Sequence, residues 1–194
     1  MAKIIEINKS TQMKDIIKAL DETKAKPKNS YGNRLIEKIL YDADEKTLVA
    51  TDGKRMLTVK TNLLELAGVD YNATCIYNRN MLIVEEYKDT LLDWRRVIPI
   101  AGSEGYEKAI EINAHSNTAT SWILFNLARQ NVMVDHHFMD SIESILHMFS
   151  HLTWNGNKEF APILLMDRDD SIKYVMMPCN HCEEARIVDA RELL

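Results

Sequence analysis

The stretch LIEKILYDADEKTLVATDGKRMLTVK, residues 35–60, decides the fold. Apolar and polar residues alternate through it twice, and a period of two marks a strand with one face buried. The alternation breaks at Asp42 to Lys46 and again at Asp52-Gly53, both turn signals, so the stretch reads as an antiparallel meander. Toward the N-terminus, Pro27, Asn29 and Gly32 mark a polar loop. Beyond it the period changes: from Ser10, a helix N-cap residue, Met13, Ile16, Ile17 and Leu20 recur at i, i+3, i+4 and i+7. That spacing predicts a helix to about Lys24 with one apolar stripe, and with Lys14, Lys18 and Asp21 on its opposite face. Before it, Ile5 and Ile7 alternate with Glu6 and Asn8, as in a short strand. The order is strand, helix, meander.

Toward the C-terminus the order repeats. AIEIN at 109–113 echoes IIEIN at 4–8. Asp135 can cap a helix over 135–149, in which Phe138, Ile142, Ile145, Leu146 and Phe149 form a stripe. The segments LTWNGNKEFAPILLM and SIKYVMM follow as strands, with turn signals at Asn155-Gly156 and Asp169-Asp170. Two such halves would lay two main helices on one antiparallel sheet, an α+β fold. Between them, residues 63–108 read as a connector in which MLIVEEYKDTLLDW is compatible with a helix and Gly102 to Gly105 with a loop. No segment has a linker's composition, so the expectation is a single domain over 1–194: a first half to about 62, the connector, a second half over about 109–178, and a tail, 179–194.

The chain has 194 residues, 46% of them hydrophobic, and a net charge of -5. That composition is globular and excludes disordered and collagen-like chains. Apolar runs such as MLIV at 81–84 fall far short of the roughly 20 residues a membrane helix needs, and the start MAKIIEINKS lacks a secretory apolar core. Three cysteines, Cys75, Cys179 and Cys182, fit a reducing compartment better than a disulfide scaffold. The expectation is a cytoplasmic protein with no membrane partner. Charge is divided unevenly, with 17 Lys and Arg against 15 Asp and Glu in residues 1–100, and 7 against 14 in 101–194. Any polyanion contact therefore belongs to the first half, where Lys14, Lys18, Lys24, Lys26 and Lys28 are the candidates for phosphate contact. A solvated helix face explains the same lysines without a ligand. The 135–149 stretch opposes DNA, since its polar positions are Asp135, His136, His137, Asp140, Glu143, Ser144 and His147, with no lysine or arginine.

Three motifs in order, LVATDGKRML at 48–57, DWRRVIP at 93–99 and YVMMP at 174–178, resemble the DNA polymerase III beta sliding clamp family. The repeated strand-helix-meander is similar to that family's domain plan, whose helices face the DNA channel. The resemblance implies a DNA-clamp-like fold and a non-catalytic processivity or tethering factor in DNA replication or repair, needing no cofactor. It also implies a homo-oligomer: a ring of six domains would take six subunits of this length. By position it implies a pocket for client peptides of polymerases formed by Thr51, Gly53, Lys54, Arg55, Met56, Arg96, Val97, Val175, Met176, Met177 and Pro178, with Asp135 and Phe138 as looser matches. Methionine adapts to varied apolar side chains, arginine can satisfy a peptide carbonyl or carboxylate, and glycine admits close backbone approach. Replacing Arg55 or Met177 by Ala should then weaken peptide binding without unfolding the domain. The chain departs from the family at Lys54, where histidine is usual, at Met56 in place of leucine, and at Cys179-Asn180.

Other readings use the same residues. A clamp-derived interaction scaffold of phage or mobile-element type, not encircling DNA, would explain the acidic second half. CNHC at 179–182 offers Cys179, His181 and Cys182 as soft ligands or a dithiol, but a structural zinc site wants four ligands, and His136 and His137, or His147 and His151, could complete it only through the fold. Ordinary tail residues are the preferred reading, with no metal. Trp94, Trp122 and Trp154 read as packing rather than base-stacking residues, and Asp167, Asp169 and Asp170 as a hairpin turn. No phosphate loop, nucleophile elbow or paired-histidine zinc motif is present, so no catalytic residue is assigned.

Overall fold

The computed structural model describes residues 2–7, 11–29, 33–100, 103, 105–106, 109–112, 118–155 and 161–179. Ser10, Gly32, Gly102, Gly156, His181 and Cys182, and with them most of the 179–194 tail, lie outside the described residues.

Among the described residues, ten strands form one antiparallel sheet. In chain order they are β1 (Lys3–Glu6), β2 (Ile39–Asp42), β3 (Thr47–Thr51), β4 (Arg55–Lys60), β5 (Ala73–Asn78), β6 (Met81–Glu86), β7 (Ile110–Glu111), β8 (His151–Thr153), β9 (Ile163–Met166) and β10 (Ile172–Met176). Across the sheet the order is β1-β6-β5-β2-β3-β4-β10-β9-β8-β7. The 35–60 meander supplies β2, β3 and β4, in register Leu40 to Val49 and Ala50 to Leu57, and sits at the centre. The seam joining the two ends of the chain is β4 against β10, with Arg55 opposite Met176 and Met56 opposite Val175.

Both faces of the central strands are covered, where the alternating pattern predicted one buried face. Ile39, Tyr41, Leu48, Ala50, Leu57, Val59, Tyr174 and Met176 face the larger core, with the helices. Leu40, Val49, Met56, Leu164 and Val175 point the other way, into a smaller core closed by Trp94. The first helix, α1 (Thr11–Thr23), forms as its period predicts and buries Ile16, Ile17 and Leu20 in the larger core. Two further short helices are α2 (Leu63–Leu66) and α4 (His137–Asp140), with α3 (Ala119–Arg129) between them in sequence.

Two expected helices are overturned. The connector's expected helix is strand β6: Leu82 and Val84 are buried, and Met81, Glu85 and Glu86 are exposed. Arg79 and Asn80, both at positive φ (48° and 69°), turn the chain tightly from β5 into β6, the geometry of a two-residue hairpin. The expected helix over 135–149 is instead α4 followed by a 3-10 turn, Glu143–Met148. Ile142 breaks it at φ -115° and ψ 6°, and the Ser141 hydroxyl bonds back to Phe138 O at 3.0 Å, the local competition that weakens helices at serine. The second long helix is α3, which buries Ala119, Ile123 and Leu127 at spacings of four. No helix among the described residues is long and apolar enough to cross a membrane.

Candidate functional site

The TDGKR motif is the hairpin turn from β3 to β4. Thr51 Oγ1 donates to Arg55 O at 2.7 Å and accepts from Gly53 N at 3.1 Å. Asp52 Oδ1 accepts from Lys54 N and Arg55 N at 2.9 and 3.0 Å. Gly53 sits at φ +87°, where a side chain would be strained, so the turn needs glycine there. The VMMP strand lies beside it: Met177 N donates to Lys54 O at 2.8 Å, continuing the β4-β10 ladder, and Cys179 N donates to Met133 O at 2.9 Å.

Successive residues of a strand point to opposite faces, and this divides the predicted pocket. Arg55 and Met176 face the helices; Met56 and Val175 face the smaller core. Met176 is fully buried among helix-side residues, so it cannot line a wall with Val175, a correction to the sequence reading. Arg55 is likewise engaged internally. Its Nε pairs with Asp52 Oδ2 at 3.0 Å, its two terminal nitrogens donate to His137 O (3.2 Å) and Glu22 O (3.3 Å), and its guanidinium lies 5.5 Å from the centre of the Phe138 ring. The side chain is only 16% exposed. It ties the end of α1, the β3-β4 turn and α4 together, and caps a late α1 carbonyl with positive charge.

Beneath this clasp lies a buried polar chain. Tyr174 OH donates to Phe138 O at 2.6 Å and lies 3.2 Å from Ser141 Oγ, and Thr23 Oγ1 lies 3.4 Å from the same hydroxyl. Burial pushes the Tyr174 phenol up to about 12.

On the other face, the DWRRVIP motif forms a 3-10 turn, Trp94–Val97, laid over the smaller core. Trp94 packs on that core and donates from Nε1 to Asp42 Oδ2 at 3.0 Å. Arg95 reaches the same carboxylate at 2.7 Å, pairs with Glu45 at 3.3 Å, and stacks 4.8 Å over the Trp94 ring. The motif's tryptophan is therefore an anchor rather than a base-stacking residue. Val97 is left 47% exposed and Arg96 is exposed beside Asp93. The sequence reading thus brings Thr51 to Met56 and Val175 to Pro178 to one seam, with Val97 in the turn that covers its back face.

Of the candidate lysines, Lys18 pairs with Glu22 at 3.6 Å and Lys24 with Asp21 at 2.7 Å, whereas Lys14, Lys26 and Lys28 are exposed. A cleft of about 550 Å³ opens elsewhere, lined by Met13 and Ile16 of α1, Val59 of β4, His147, Met148 and the turn that carries Asp167 and Arg168. It contains none of the expected pocket residues. Cys75 is buried on β5, its thiol pushed up to about 12 by burial.

No protein-family model and no curated protein matches the sequence. Among solved structures the chain is similar to the beta subunit of DNA polymerase III from Thermotoga maritima, with a TM-score of 0.53 over 94% of this chain at 11% identity. It is similar to the Pseudomonas aeruginosa DNA polymerase sliding clamp at a TM-score of 0.52 over 93% of the chain and 12% identity, and to the Helicobacter pylori beta clamp at 0.50, 92% and 13%. The fold is that of a DNA sliding clamp. At such identities the likeness is one of fold, and this clamp-fold chain spans 66% of the length of each of those three proteins. The ten-stranded antiparallel sheet with a few helices is the α+β clamp architecture. The TDGKR turn and the VMMP strand of this chain meet at the β4-β10 seam, and α1 packs on the helix-bearing face of the sheet.

Proposed function

We propose that this chain is a non-catalytic tethering factor of DNA replication or repair, a single clamp-like unit that holds client peptides of polymerases at the back of the β4-β10 seam. The observation that carries the reading is the convergence, on one sheet face, of Met56 and Val175 with the Trp94–Val97 turn. Continuing the alternation of β10 puts Met177 on that same face, half-buried, next to Pro178. The peptide site is then a shallow strip formed by Val97, Arg96, Met177 and Pro178 with Lys54 at the turn, laid over the buried Met56 and Val175. Half-exposed methionine and valine offer apolar purchase, and Arg96 offers charge-assisted hydrogen bonds to a peptide carbonyl or carboxylate. Arg55 and Met176 support this strip from behind without touching the peptide.

Binding of this kind makes and breaks no bond, so residence time on client and DNA is the functional quantity. Exposed Lys14, Lys26 and Lys28, with Lys18 and Lys24 partly neutralised by their partners, are the phosphate contacts of this reading. Such contacts are sequence-independent and weaken steeply with salt. A second reading, the interaction scaffold that does not encircle DNA, is favoured by those same ion pairs. Light scattering combined with a duplex DNA titration separates the two. A closed homo-oligomer with salt-sensitive binding, lost on replacing Lys14, Lys26 and Lys28 by Glu, supports the tether on DNA; a monomer or dimer that ignores DNA at low salt supports the scaffold.

A further inference from the structure

The cleft of about 550 Å³ on the helix-bearing face shares no residue with the proposed peptide strip. Its volume falls in the range of roughly 300–1,000 Å³ that small-molecule sites occupy. The sheet fixes its base: Val59 and Ile172 stand opposite each other across the β4-β10 seam, both buried, and Lys60 N donates to Ser171 O at 2.8 Å where the ladder ends. Above that base, Met13 of α1 and Met148 of the 3-10 turn are half-buried, so their side chains are the apolar surface open to a ligand. Methionine adapts its shape to what it meets.

The charged part of the lining is unevenly satisfied. Lys60, His147 and Arg168 come from three separate elements, all three are exposed, and none holds an ion pair or a side-chain hydrogen bond among the described residues. The nearby carboxylates are mostly engaged. Asp167 Oδ1 accepts from Ser171 N and Ile172 N at 2.7 and 2.9 Å, and its Oδ2 accepts from the Ser171 hydroxyl, so that charge is committed to building the turn. Asp170 is paired with Lys173 at 3.0 Å. Asp169 is then the one carboxylate of the described lining without a partner. Two permanent cations and an imidazole against a single free carboxylate suit an anion of one charge better than a polyanion, and the methionine wall suits an apolar body joined to it.

We propose that this cleft binds a small amphipathic anion, an apolar body bearing one acidic head, with the body against Met13 and Met148 and the head between Lys60 and Arg168. An arginine fork and an ammonium give such a head charge-assisted hydrogen bonds that no side chain of the described structure now takes. The site is independent of the peptide strip, which lies on the opposite face of the sheet.

The probe is anilinonaphthalene sulfonate, aromatic rings bearing one sulfonate, titrated into the full chain and read by its emission. One saturable site per chain is expected. Octanoate should displace the probe, and octanol, with the same apolar chain and no charge, should need at least about tenfold more, the factor one charge-assisted hydrogen bond accounts for. Lys60→Glu and Arg168→Glu should each weaken the probe at least about tenfold by the same reasoning. Circular dichroism should be unchanged in both, since the two side chains are exposed. Met148→Asp should weaken it as well by removing the apolar wall. No saturable binding overturns the proposal, as does wild-type affinity in the Lys60→Glu, Arg168→Glu double variant, or displacement by octanol as readily as by octanoate.

Discussion

Replacing Arg55 by Ala separates the two roles the sequence and the structure give this residue. The substitution removes hydrogen bonds from a charged donor to His137 O and Glu22 O, the pair with Asp52, and the contact with Phe138. Hydrogen bonds involving a charged group contribute roughly 1.5–3 kcal/mol each, and partly exposed ion pairs roughly 0.2–1 kcal/mol. Asp52 keeps the Lys54 and Arg55 backbone N–H groups, and water can reach part of the vacated volume, so the terms do not sum in full. A net loss of about 2–3 kcal/mol follows, which for a chain of this length lowers the melting temperature by about 5–10 °C. Arg55→Lys should recover the Asp52 pair but not both carbonyl bonds, losing about half as much. Urea denaturation monitored by circular dichroism gives both values. Client-peptide affinity, measured well below the melting transition, should stay near that of the wild type. A loss under about 0.5 kcal/mol together with weakened peptide binding would refute the clasp and return Arg55 to the peptide site.

Two further substitutions and one labelling test probe the rest of the architecture. Tyr174→Phe removes the phenol that donates to Phe138 O and should cost about 1–2 kcal/mol by urea denaturation. The Tyr174 and Cys75 protons are held more tightly in the folded chain, at about 12 each, than in the unfolded one, at 10.0 and 9.0. Their contribution is complete below pH 9 and fades as pH rises toward 12; Tyr174→Phe should flatten the alkaline part of the stability profile above pH 10. Trp94→Ala opens the smaller core and should cost about 3 kcal/mol or more, lowering the urea midpoint; a loss under about 1 kcal/mol would mean that the 94–97 turn is not anchored there. Native Cys75 should resist a thiol reagent until the chain unfolds, as reaction against urea concentration would show.

The fold was legible where one period dominated. The 35–60 stretch gives β2 to β4, although both faces of those strands are buried, and the Met13, Ile16, Ile17, Leu20 spacing gives α1 because it answers to one buried side. Residues 81–86 misled because MLIVEEYKDTLLDW satisfies a helical period as readily as a strand's. What decides is Arg79-Asn80, a turn that asparagine tolerates and that carried no glycine to announce it. Over 135–149 the buried set Phe138, Ile142, Ile145, Leu146 and Phe149 is the one expected, while the backbone differs, since a 3-10 turn buries nearly the same positions as an α-helix. α3 went unread although Ala119, Ile123 and Leu127 recur at spacings of four, a stripe diluted by Trp122, Leu124 and Phe125 around it. At the candidate site, the motif matches located the seam but not its sides. Strand alternation alone separates Val175 from Met176, and that separation needs the knowledge, absent from a motif, that both faces of β10 are buried. The Arg55 clasp depends on α4 meeting the β3-β4 turn, a contact between residues some 80 positions apart in sequence.

The central claim is that the back of the β4-β10 seam grips a client peptide, and Val97→Asp tests it most directly because Val97 is half exposed and belongs to neither apolar core. The measurement is fluorescence anisotropy of a labelled sliding-clamp client peptide titrated with wild-type and Val97→Asp protein. Saturable binding, weakened about tenfold or more by the aspartate at unchanged melting temperature, is the predicted result, a cost of about 1.4 kcal/mol or more. Equal affinity in the two proteins, or no saturable binding by either, would contradict it.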